Sequence, residues 1–192
     1  MDLRQRRKVE TTELIQRGAI ELARARGVAA VTIEAICEAA GISQRTFFNY
    51  FPYKEAVFLL PPPPLPAAAV ERFVTGTGDI VEDLSELLVA QITEMERSSH
   101  MGAIMREIAE THPRLMPLQM AEFQKFEAEL QRLIAGRLGT DPEDVRAMVL
   151  AQAMIGVTRA TIDRSVGQQD YGLPQKLREG FAALVNIFRG SA

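Results

Sequence analysis

The sequence is poor in the residues that carry disulfides, metal sites and β-sheet cores. Its 192 residues include no tryptophan, one cysteine and two histidines, and aromatic residues make up 6%. The single cysteine, Cys37, excludes an intrachain disulfide, which fits a reducing cytoplasmic setting. Few aromatic residues, with abundant alanine, leucine, glutamate and arginine, favour an all-α protein over a β-sandwich.

The sequence also lacks the segments that would direct it to a membrane. Its N-terminus begins with charged residues, unlike a signal peptide. The longest uncharged stretch, from Ala56 to Val70, contains five prolines and cannot form a membrane-spanning helix. Hydrophobic residues make up 47% of the chain, enough for a real core. We therefore expect a globular, cytoplasmic protein with no membrane partner.

Motifs of common catalytic and cofactor sites are absent as well. The sequence has no G-x-S-x-G nucleophile elbow, no P-loop, no Rossmann glycine pattern and no nucleophilic cysteine paired with histidine. His100 and His112 stand twelve residues apart without a second cysteine, which does not make a metal-ligand cluster. We therefore expect a protein that is not an enzyme and that uses no metal or cofactor.

Positive charge is concentrated at the N-terminus, although the formal net charge of the chain is −3. Residues 1–60 contain nine lysines and arginines against seven acidic residues, a balance of +2, and the remaining 13 basic and 18 acidic residues give −5. A mildly basic head on an acidic body is a weak indication of nucleic-acid binding. A solvated basic terminus would give the same pattern.

Apolar residues recur at helical spacing along the chain, bounded by capping, glycine and proline signals. Thr32 and Ser43 are predicted N-caps, and Gly41 ends the helix between them. Asp141-Pro142 resembles an N-cap followed by the first helical residue. The predicted helices cover residues of about 8–26, 33–40, 44–50, 54–60, 67–74, 79–97, 100–110, 114–138, 142–166 and 174–188.

Four consecutive prolines, Pro61–Pro64, interrupt the helical pattern. A run of prolines adopts an extended polyproline conformation. We interpret it as a stiff connector between head and body, because no flanking pattern for a partner groove accompanies it. A docking element that recruits a protein partner is the alternative hypothesis.

The last two long helices, about 142–166 and 174–188, carry apolar residues on more than one side. On the first of them Val149 lies on one side, and Met154 and Val157 lie on another. Surplus apolar surface of this kind indicates that another chain covers part of it. A thoroughly buried monomer core is the alternative.

The third predicted helix combines polar side chains with aromatic ones. Phe47 and Phe51 are four residues apart and can anchor it to the first two helices. Arginine can bind O6 and N7 of guanine, glutamine or asparagine can bind N6 and N7 of adenine, and threonine or an aromatic ring can touch the thymine methyl. The side opposite the anchors presents Gln44, Arg45, Thr46, Phe48, Asn49 and Tyr50.

These residues belong to a longer motif. The run VTIEAICEAAGISQRTFFNYFPYKEAVF, residues 31–58, resembles the DNA-binding head of the TetR family of bacterial transcriptional regulators. The family pattern T-x-x-x-I-A-x-x-A-G-V-S-x-x-T-x-Y-x-Y/H-F-x-x-K-E is matched at Thr32, Ile36, Ala40, Gly41, Ser43, Thr46, Tyr50, Phe51, Lys54 and Glu55. Cys37 replaces a usual alanine, and we interpret it as a packing residue. Phe48 replaces a usual tyrosine, which removes one phosphate contact.

The resemblance implies an N-terminal three-helix helix-turn-helix head, residues 1–58, and a C-terminal helical effector-binding and dimerisation body, residues 59–192. It also implies a homodimer formed through the last two long helices, bound to a double-stranded, pseudo-palindromic DNA operator. The half-sites would lie ~34–36 Å apart or a multiple of that distance. It further implies a repressor that a small-molecule effector releases from DNA.

The candidate site residues follow from the motif and from the body pattern. The predicted DNA-binding residues are Arg6, Arg7, Thr32, Ser43, Gln44, Arg45, Thr46, Phe48, Asn49, Tyr50 and Lys54, of which Thr32, Tyr50 and Lys54 are assigned to phosphates. An effector cavity is predicted at Met95, Met105, Phe123, Phe126, Met154 and Thr158. Methionine adapts to apolar ligands of variable shape, but a stripe of Met and Phe at helical spacing is more often plain core. The sequence does not identify the effector.

Overall fold

A computed structural model of the chain describes residues 3–98, 108, 112–165, 172–188 and 190. Every regular element in these residues is a helix and none is a strand, which confirms the predicted all-α fold. Two 3₁₀ turns, Val28–Ala30 and Lys54–Phe58, lie in the N-terminal part. The α-helices are α1 (Leu3–Arg26), α2 (Ile33–Ala40), α3 (Gln44–Tyr50), α4 (Ala67–Thr75), α5 (Ile80–Ser98), α6 (Met116–Leu138), α7 (Val145–Ser165) and α8 (Leu173–Phe188).

Local capping signals define α2 and α3, as the sequence predicts. The Thr32 hydroxyl accepts a hydrogen bond from the Ala35 amide at 3.2 Å, and the Ser43 hydroxyl accepts one from the Thr46 amide at 3.1 Å. Gly41, with φ +63°, lies in the left-handed region that side chains disfavour, and it ends α2. The turn between α2 and α3 is therefore short, as a helix-turn-helix requires.

The chain divides into two compact units, and the first combines Met1–Pro61 with His100–Glu122. Its core joins buried side chains of the N-terminal helices to Ile108 and Leu115, which come from the middle of the chain. The N-terminal contribution includes the fully buried Ile15, Ala19, Ile36, Phe47, Val57 and Phe58. The helix-turn-helix therefore does not supply the whole of the core on which it rests.

One buried side-chain amide ties the two stretches of the first unit together. Gln119 in α6 is 8% exposed. Its Nε2 donates to the Leu60 carbonyl at 2.5 Å, and its Oε1 accepts from the Leu60 amide at 2.7 Å. The prolines that follow Leu60 have no N–H of their own. Gln119 thus satisfies both backbone groups of the last residue before the proline run.

The second unit combines Pro62–Ser99 with Phe123–Ala192. Helices α4, α5, α7 and α8, with the part of α6 that begins at Phe123, enclose a single apolar core. Its largest fully buried side chains are Phe73, Leu84, Leu87, Leu88, Ile92 and Phe181. Burial of large apolar side chains on this scale is the main stabilising contribution to the unit.

Arg137 closes the turn between α4 and α5. Its guanidinium donates to the Phe73 carbonyl at 2.5 Å, to the Gly78 carbonyl at 3.0 Å and to the Asp83 carboxylate at 2.5 Å. It also lies 5.2 Å from the centroid of the Phe73 ring. A Cβ on Gly76 would lie 2.8 Å from the Arg137 nitrogen and 2.7 Å from the Asp83 oxygen, so only glycine leaves room for this arrangement.

The predicted start of α7 is wrong. Asp141-Pro142 does not begin the helix, which starts at Val145. Asp144 lies directly before it, and its carboxylate accepts from the Arg146 amide at 2.8 Å and from the Arg146 guanidinium at 3.0 Å. The side-chain bonds from Arg146, with the backbone bond, lower the pKa of Asp144 to about 2. A carboxylate nearer the helix therefore takes the place that the sequence assigned to Asp141.

Two other boundaries also differ from prediction. The segment before the proline run is the 3₁₀ turn Lys54–Phe58 rather than an α-helix, with i→i+3 bonds from the Ala56 amide to the Tyr53 carbonyl and from the Leu59 amide to the Ala56 carbonyl. The prolines from Pro61 onward have no N–H that could extend it as a helix. Helix α1 begins at Leu3 instead of near Lys8, so the basic N-terminus is helical. The helix predicted over about 100–110 lies outside the described residues apart from the buried Ile108.

The proline run Pro61–Pro64 lies in a non-helical segment. Leu59 (φ −84°, ψ 147°) and Pro66 (φ −63°, ψ 124°) at its two ends have extended backbone. Gln91 of α5, only 3% exposed, donates from Nε2 to the Pro63 carbonyl at 2.5 Å. Gln91 and Gln119 are the two buried polar side chains wherever burial is described. Each bonds the backbone of this segment: Gln119 bonds Leu60, the residue before Pro61, and Gln91 bonds Pro63, two residues after it.

Candidate nucleic-acid interface

An aromatic pair fixes α3 to the head. Phe47 is fully buried and Phe51 is 7% exposed, with 5.6 Å between their ring centroids. Ser43 caps the N-terminus of the helix. The predicted anchoring role of the pair is confirmed, and the opposite side of α3 is left in solvent.

The solvent-facing side of α3 carries the candidate base-reading side chains. Because an α-helix turns once in 3.6 residues, positions 44, 45, 48 and 49 form one continuous arc. A guanidinium, two amides and an aromatic ring on one arc can hydrogen-bond to base edges and touch a thymine methyl. Gln44, Arg45, Phe48 and Asn49 are all exposed, whereas Thr46 and Tyr50 are partly buried.

Three of the predicted DNA-binding hydroxyl groups take part in helix capping. Thr32 and Ser43 accept from backbone amides, and the Thr46 hydroxyl bonds to the Ser43 hydroxyl at 2.9 Å. A hydroxyl that accepts one bond keeps its own O–H as a donor. Thr32 can therefore cap α2 and still donate to a phosphate oxygen.

The Gln44 side chain is hydrogen-bonded to Glu34, a residue that the sequence motif does not point to. Its Nε2 donates to Glu34 Oε1 at 3.1 Å. Glu34 lies in the first turn of α2, ten positions away and on a different helix, so sequence spacing gives no sign of the contact. The sequence signal was an acidic side chain within a segment predicted to bind DNA, where the phosphates favour cations.

The basic residues of the head have mixed surroundings. Arg7 is exposed, and the Arg6 side chain lies outside the described residues. Lys54 is partly buried and its Nζ donates to the Val28 carbonyl at 3.4 Å. An ammonium group has three N–H donors, so Lys54 can also contact a phosphate. Tyr50 packs partly against the head core.

Cys37 is 5% exposed in the head core. Burial, with a smaller contribution from the charge of Glu34, raises the pKa of its thiol. A raised pKa disfavours the reactive thiolate, which supports the interpretation of Cys37 as a packing residue.

Metal ligands are not clustered in the part of the chain that the structure describes, where no group of three or more His, Cys, Asp or Glu side chains could hold an ion. His112 instead bonds through Nδ1 to the Ile108 carbonyl at 2.8 Å. His100 and the predicted effector residue Met105 lie outside the described residues.

Three of the remaining candidate effector residues lie in or against the core of the second unit. Met154 is fully buried, and Met95 and Phe126 pack against the same core. The Thr158 hydroxyl donates to the Met154 carbonyl at 2.8 Å. The Phe123 ring has the Arg159 guanidinium 5.4 Å from its centroid.

Open hollows lie on the surface of the second unit where the structure describes it, and two of them concern the proposed effector. One, of about 270 Å³, lies between α4, α5 and α8 and includes Arg72 and the Arg178–Glu86 ion pair. The other, of about 500 Å³, lies between α7 and α8 and includes Arg164 and Lys176. Neither hollow is lined by a candidate effector residue.

Helices α7 and α8 leave large apolar side chains in solvent. Val145 is 61% exposed, Val149 56% and Ile187 74%. By length and composition α7 is apolar enough to cross a membrane. Only 17% of its most apolar window is buried, so this helix is not a mostly buried core helix of the unit as the structure describes it. Large apolar side chains exposed in this way are typical of surfaces that bind a protein partner or a membrane.

Both parts of the chain match known protein families. Residues 15–60 match bacterial regulatory proteins of the tetR family, and residues 78–189 match the MftR C-terminal domain. The HTH-type transcriptional regulator TcmR of Streptomyces glaucescens is 31% identical over 150 residues, which cover 74% of this chain and 66% of TcmR. The mycofactocin biosynthesis regulator MftR of Mycobacterium tuberculosis is 27% identical over 188 residues, covering 92% and 90%.

A solved structure shares the fold. The transcriptional regulator FadR of Bacillus subtilis, in complex with stearoyl-CoA, superimposes with a TM-score of 0.56 at 17% identity. The alignment covers 90% of this chain and 97% of FadR. At this identity the likeness concerns the fold alone.

Proposed function

The chain belongs to the TetR family of bacterial regulatory proteins, and on that premise we propose that it is a homodimeric regulator that binds a pseudo-palindromic operator. We propose further that it acts as a repressor and that a small-molecule effector releases it from DNA. The observation that carries the proposal is the exposed arc of α3, with its polar and aromatic side chains set on a buried aromatic anchor.

In the proposed complex each head places α3 in a major groove. Arg45 pairs with a guanine, Gln44 or Asn49 pairs with an adenine, and Phe48 touches a thymine methyl. Arg7 and Lys54 contact phosphates, which set the position of the head without selecting sequence. The proposed site of action is the cytoplasm, where the DNA is.

The exposed face of α7 and α8 supports the homodimer. A two-fold interface brings the same patch of each copy together, and Val145, Val149 and Ile187 would then leave water. A membrane is the other apolar environment that could cover α7. The match of residues 78–189 to the C-terminal domain of a regulator favours a second copy of the chain.

The proposed effector enters the second unit near Met95, Phe126 and Met154. The FadR structure with stearoyl-CoA shows that a protein of this fold binds a small molecule. Because Met154 is fully buried and neither hollow includes a candidate residue, we propose that the effector separates packed side chains instead of filling a preformed hollow. Native mass spectrometry of protein purified from cells would reveal a co-purified molecule.

We retain the interpretation of Pro61–Pro64 as a connector. The bonds from Gln119 to Leu60 and from Gln91 to Pro63 occupy backbone groups of this segment, which a docked partner would otherwise use. Pull-down of a partner by wild-type protein, abolished when the four prolines are replaced, would support the docking alternative.

Replacing Arg45 is expected to change specificity, whereas replacing Lys54 is expected to change affinity. Arg45→Ala should cost ~1–3 kcal/mol on the operator and relax selection at one base pair. Lys54→Ala should weaken binding to all sequences alike and reduce the slope of log affinity against log salt by about 1. Fluorescence anisotropy with operator and scrambled duplexes, at several salt concentrations, measures both.

The scrambled duplex is the control, because phosphate contacts are the same on both DNAs. Equal losses on the two duplexes for Arg45→Ala would contradict its assignment as a base reader. The proposed function would be contradicted if the wild-type protein bound every duplex from its own promoter region non-specifically, with affinity fully sensitive to salt.

A further inference from the structure

Glu34 and Gln44 form a side-chain pair that joins α2 to α3 on the proposed DNA-facing surface. Gln44 Nε2 donates to Glu34 Oε1 at 3.1 Å, and both side chains are exposed. We propose that Glu34 is a positioning residue that orients the Gln44 amide for adenine. The inference rests on the proposed function and assigns to an acidic residue a part in base selection.

The Glu34 carboxylate and the Gln44 amide can pair in only one orientation of the amide. A primary amide has two N–H donors at one end and a carbonyl acceptor at the other, whereas a carboxylate only accepts. Glu34 therefore engages the nitrogen end of the Gln44 amide and disfavours the flipped orientation, in which two oxygens would face each other. When Glu34 accepts from the N–H that lies anti to the carbonyl, the other N–H and the carbonyl of Gln44 remain free on one edge of the amide.

That free edge matches adenine better than guanine. In the major groove adenine presents the N7 acceptor beside the N6 amino donor, which pair with the free N–H and the carbonyl of Gln44. Guanine presents two acceptors, N7 and O6, and would place O6 against the Gln44 carbonyl. A glutamine without Glu34 could turn to offer N–H donors to guanine, so the pair is expected to add discrimination.

The charge of Glu34 gives the proposal a second signature. A carboxylate near a surface that faces phosphates weakens binding to every DNA sequence. Removing it should therefore tighten binding to scrambled DNA while weakening the preference at one base pair. Glu34 also lies in the first turn of α2, where an acid stabilises the helix dipole, but that role alone would not alter the choice of base.

The test begins with duplexes enriched from a random-sequence pool by the wild-type, full-length protein. Single-base variants of the enriched duplex are then measured by fluorescence anisotropy. Gln44→Ala should lose about 5-fold to 150-fold preference for adenine at one base pair, which identifies the base that Gln44 contacts. Glu34→Ala should lose about 2-fold to 10-fold preference at that same base pair, and no further preference in the Gln44→Ala background.

Two control variants test the orientation and the charge separately. Glu34→Gln replaces the carboxylate by an amide that can donate as well as accept, so it no longer fixes the Gln44 amide and should lose the adenine preference as Glu34→Ala does, while binding scrambled DNA more tightly. Glu38→Ala removes an exposed acid one turn further along α2 and should tighten binding to every duplex alike, with no change in the base preference. Thermal unfolding of each variant verifies that the head remains folded at the assay temperature.

The inference is overturned if Glu34→Ala keeps the wild-type preference at the Gln44 base pair, or if its loss is spread evenly over all positions. Failure of the wild-type protein to enrich any sequence is a different result. It would refute the proposed sequence-specific binding, and this inference with it.

Discussion

Replacing Val149 by arginine is expected to separate the proposed homodimer into monomers. Val149 is 56% exposed on the face of α7 that we propose as the dimer interface, so the new side chain is tolerated in the monomer. In the dimer its charge would be buried without a partner, and the cost exceeds what the lost valine contact contributes. Monomers engage one half-site each, so operator affinity should fall by about 10²–10⁴-fold.

Sedimentation velocity at several protein concentrations measures the dissociation, and anisotropy measures the operator affinity. Val74→Arg is the matched control, because Val74 is 52% exposed on α4, outside the proposed interface. It should remain dimeric with unchanged DNA binding. A Val149→Arg protein that sediments as the wild type would place the dimer interface elsewhere.

Removing the Arg137 side chain is expected to lower the free energy of unfolding by about 3 kcal/mol. Removing one partner of a buried ion pair costs about 3–5 kcal/mol. We expect the lower end, because the Arg137 side chain is only 7% exposed but its partner Asp83 is 35% exposed and keeps part of its hydration. Arg137→Ala leaves the Phe73 and Gly78 carbonyls without their charged donor as well. Urea unfolding of the full-length protein, followed by circular dichroism, measures the change.

Arg137→Lys should recover little of this loss, since a single ammonium cannot reach three acceptors in the geometry of a planar guanidinium. Arg132→Ala removes an exposed arginine from the same helix and should stay within about 0.5 kcal/mol of the wild type. An Arg137→Ala protein as stable as Arg132→Ala would show that the three bonds contribute little.

Local signals made the helix-turn-helix predictable. Thr32, Gly41 and Ser43 each act on backbone groups within a few residues, so the sequence contains both partners of every bond. The same kind of signal gave a wrong result at Asp141, because Asp144 offers an equivalent carboxylate three residues later. Local rules identify candidate caps, but they do not decide between two that compete.

Contacts between distant parts of the chain could not be predicted in this way. Arg137 meets a carbonyl 64 residues away, and Gln119 meets Leu60 at a separation of 59 residues. The pairing of Glu34 with Gln44 depends on how α2 crosses α3, which no spacing encodes. The candidate site residues on α3 could therefore be predicted from side-chain chemistry, whereas the residue proposed to orient one of them required the packed structure.

The first unit is built from two separate stretches of the chain, which limits where two related genes can be recombined to give a folded protein. Its core needs Ile108 and Leu115, and Gln119 bonds Leu60, so a crossover just after residue 60 would pair one parent's head with the other parent's supporting side chains. Chimaeras made at that point should fold poorly unless residues 108–119 are transferred together with the head. Evolutionary exchange of DNA specificity within this scaffold is then expected to proceed by point substitution on α2 and α3 more readily than by domain shuffling.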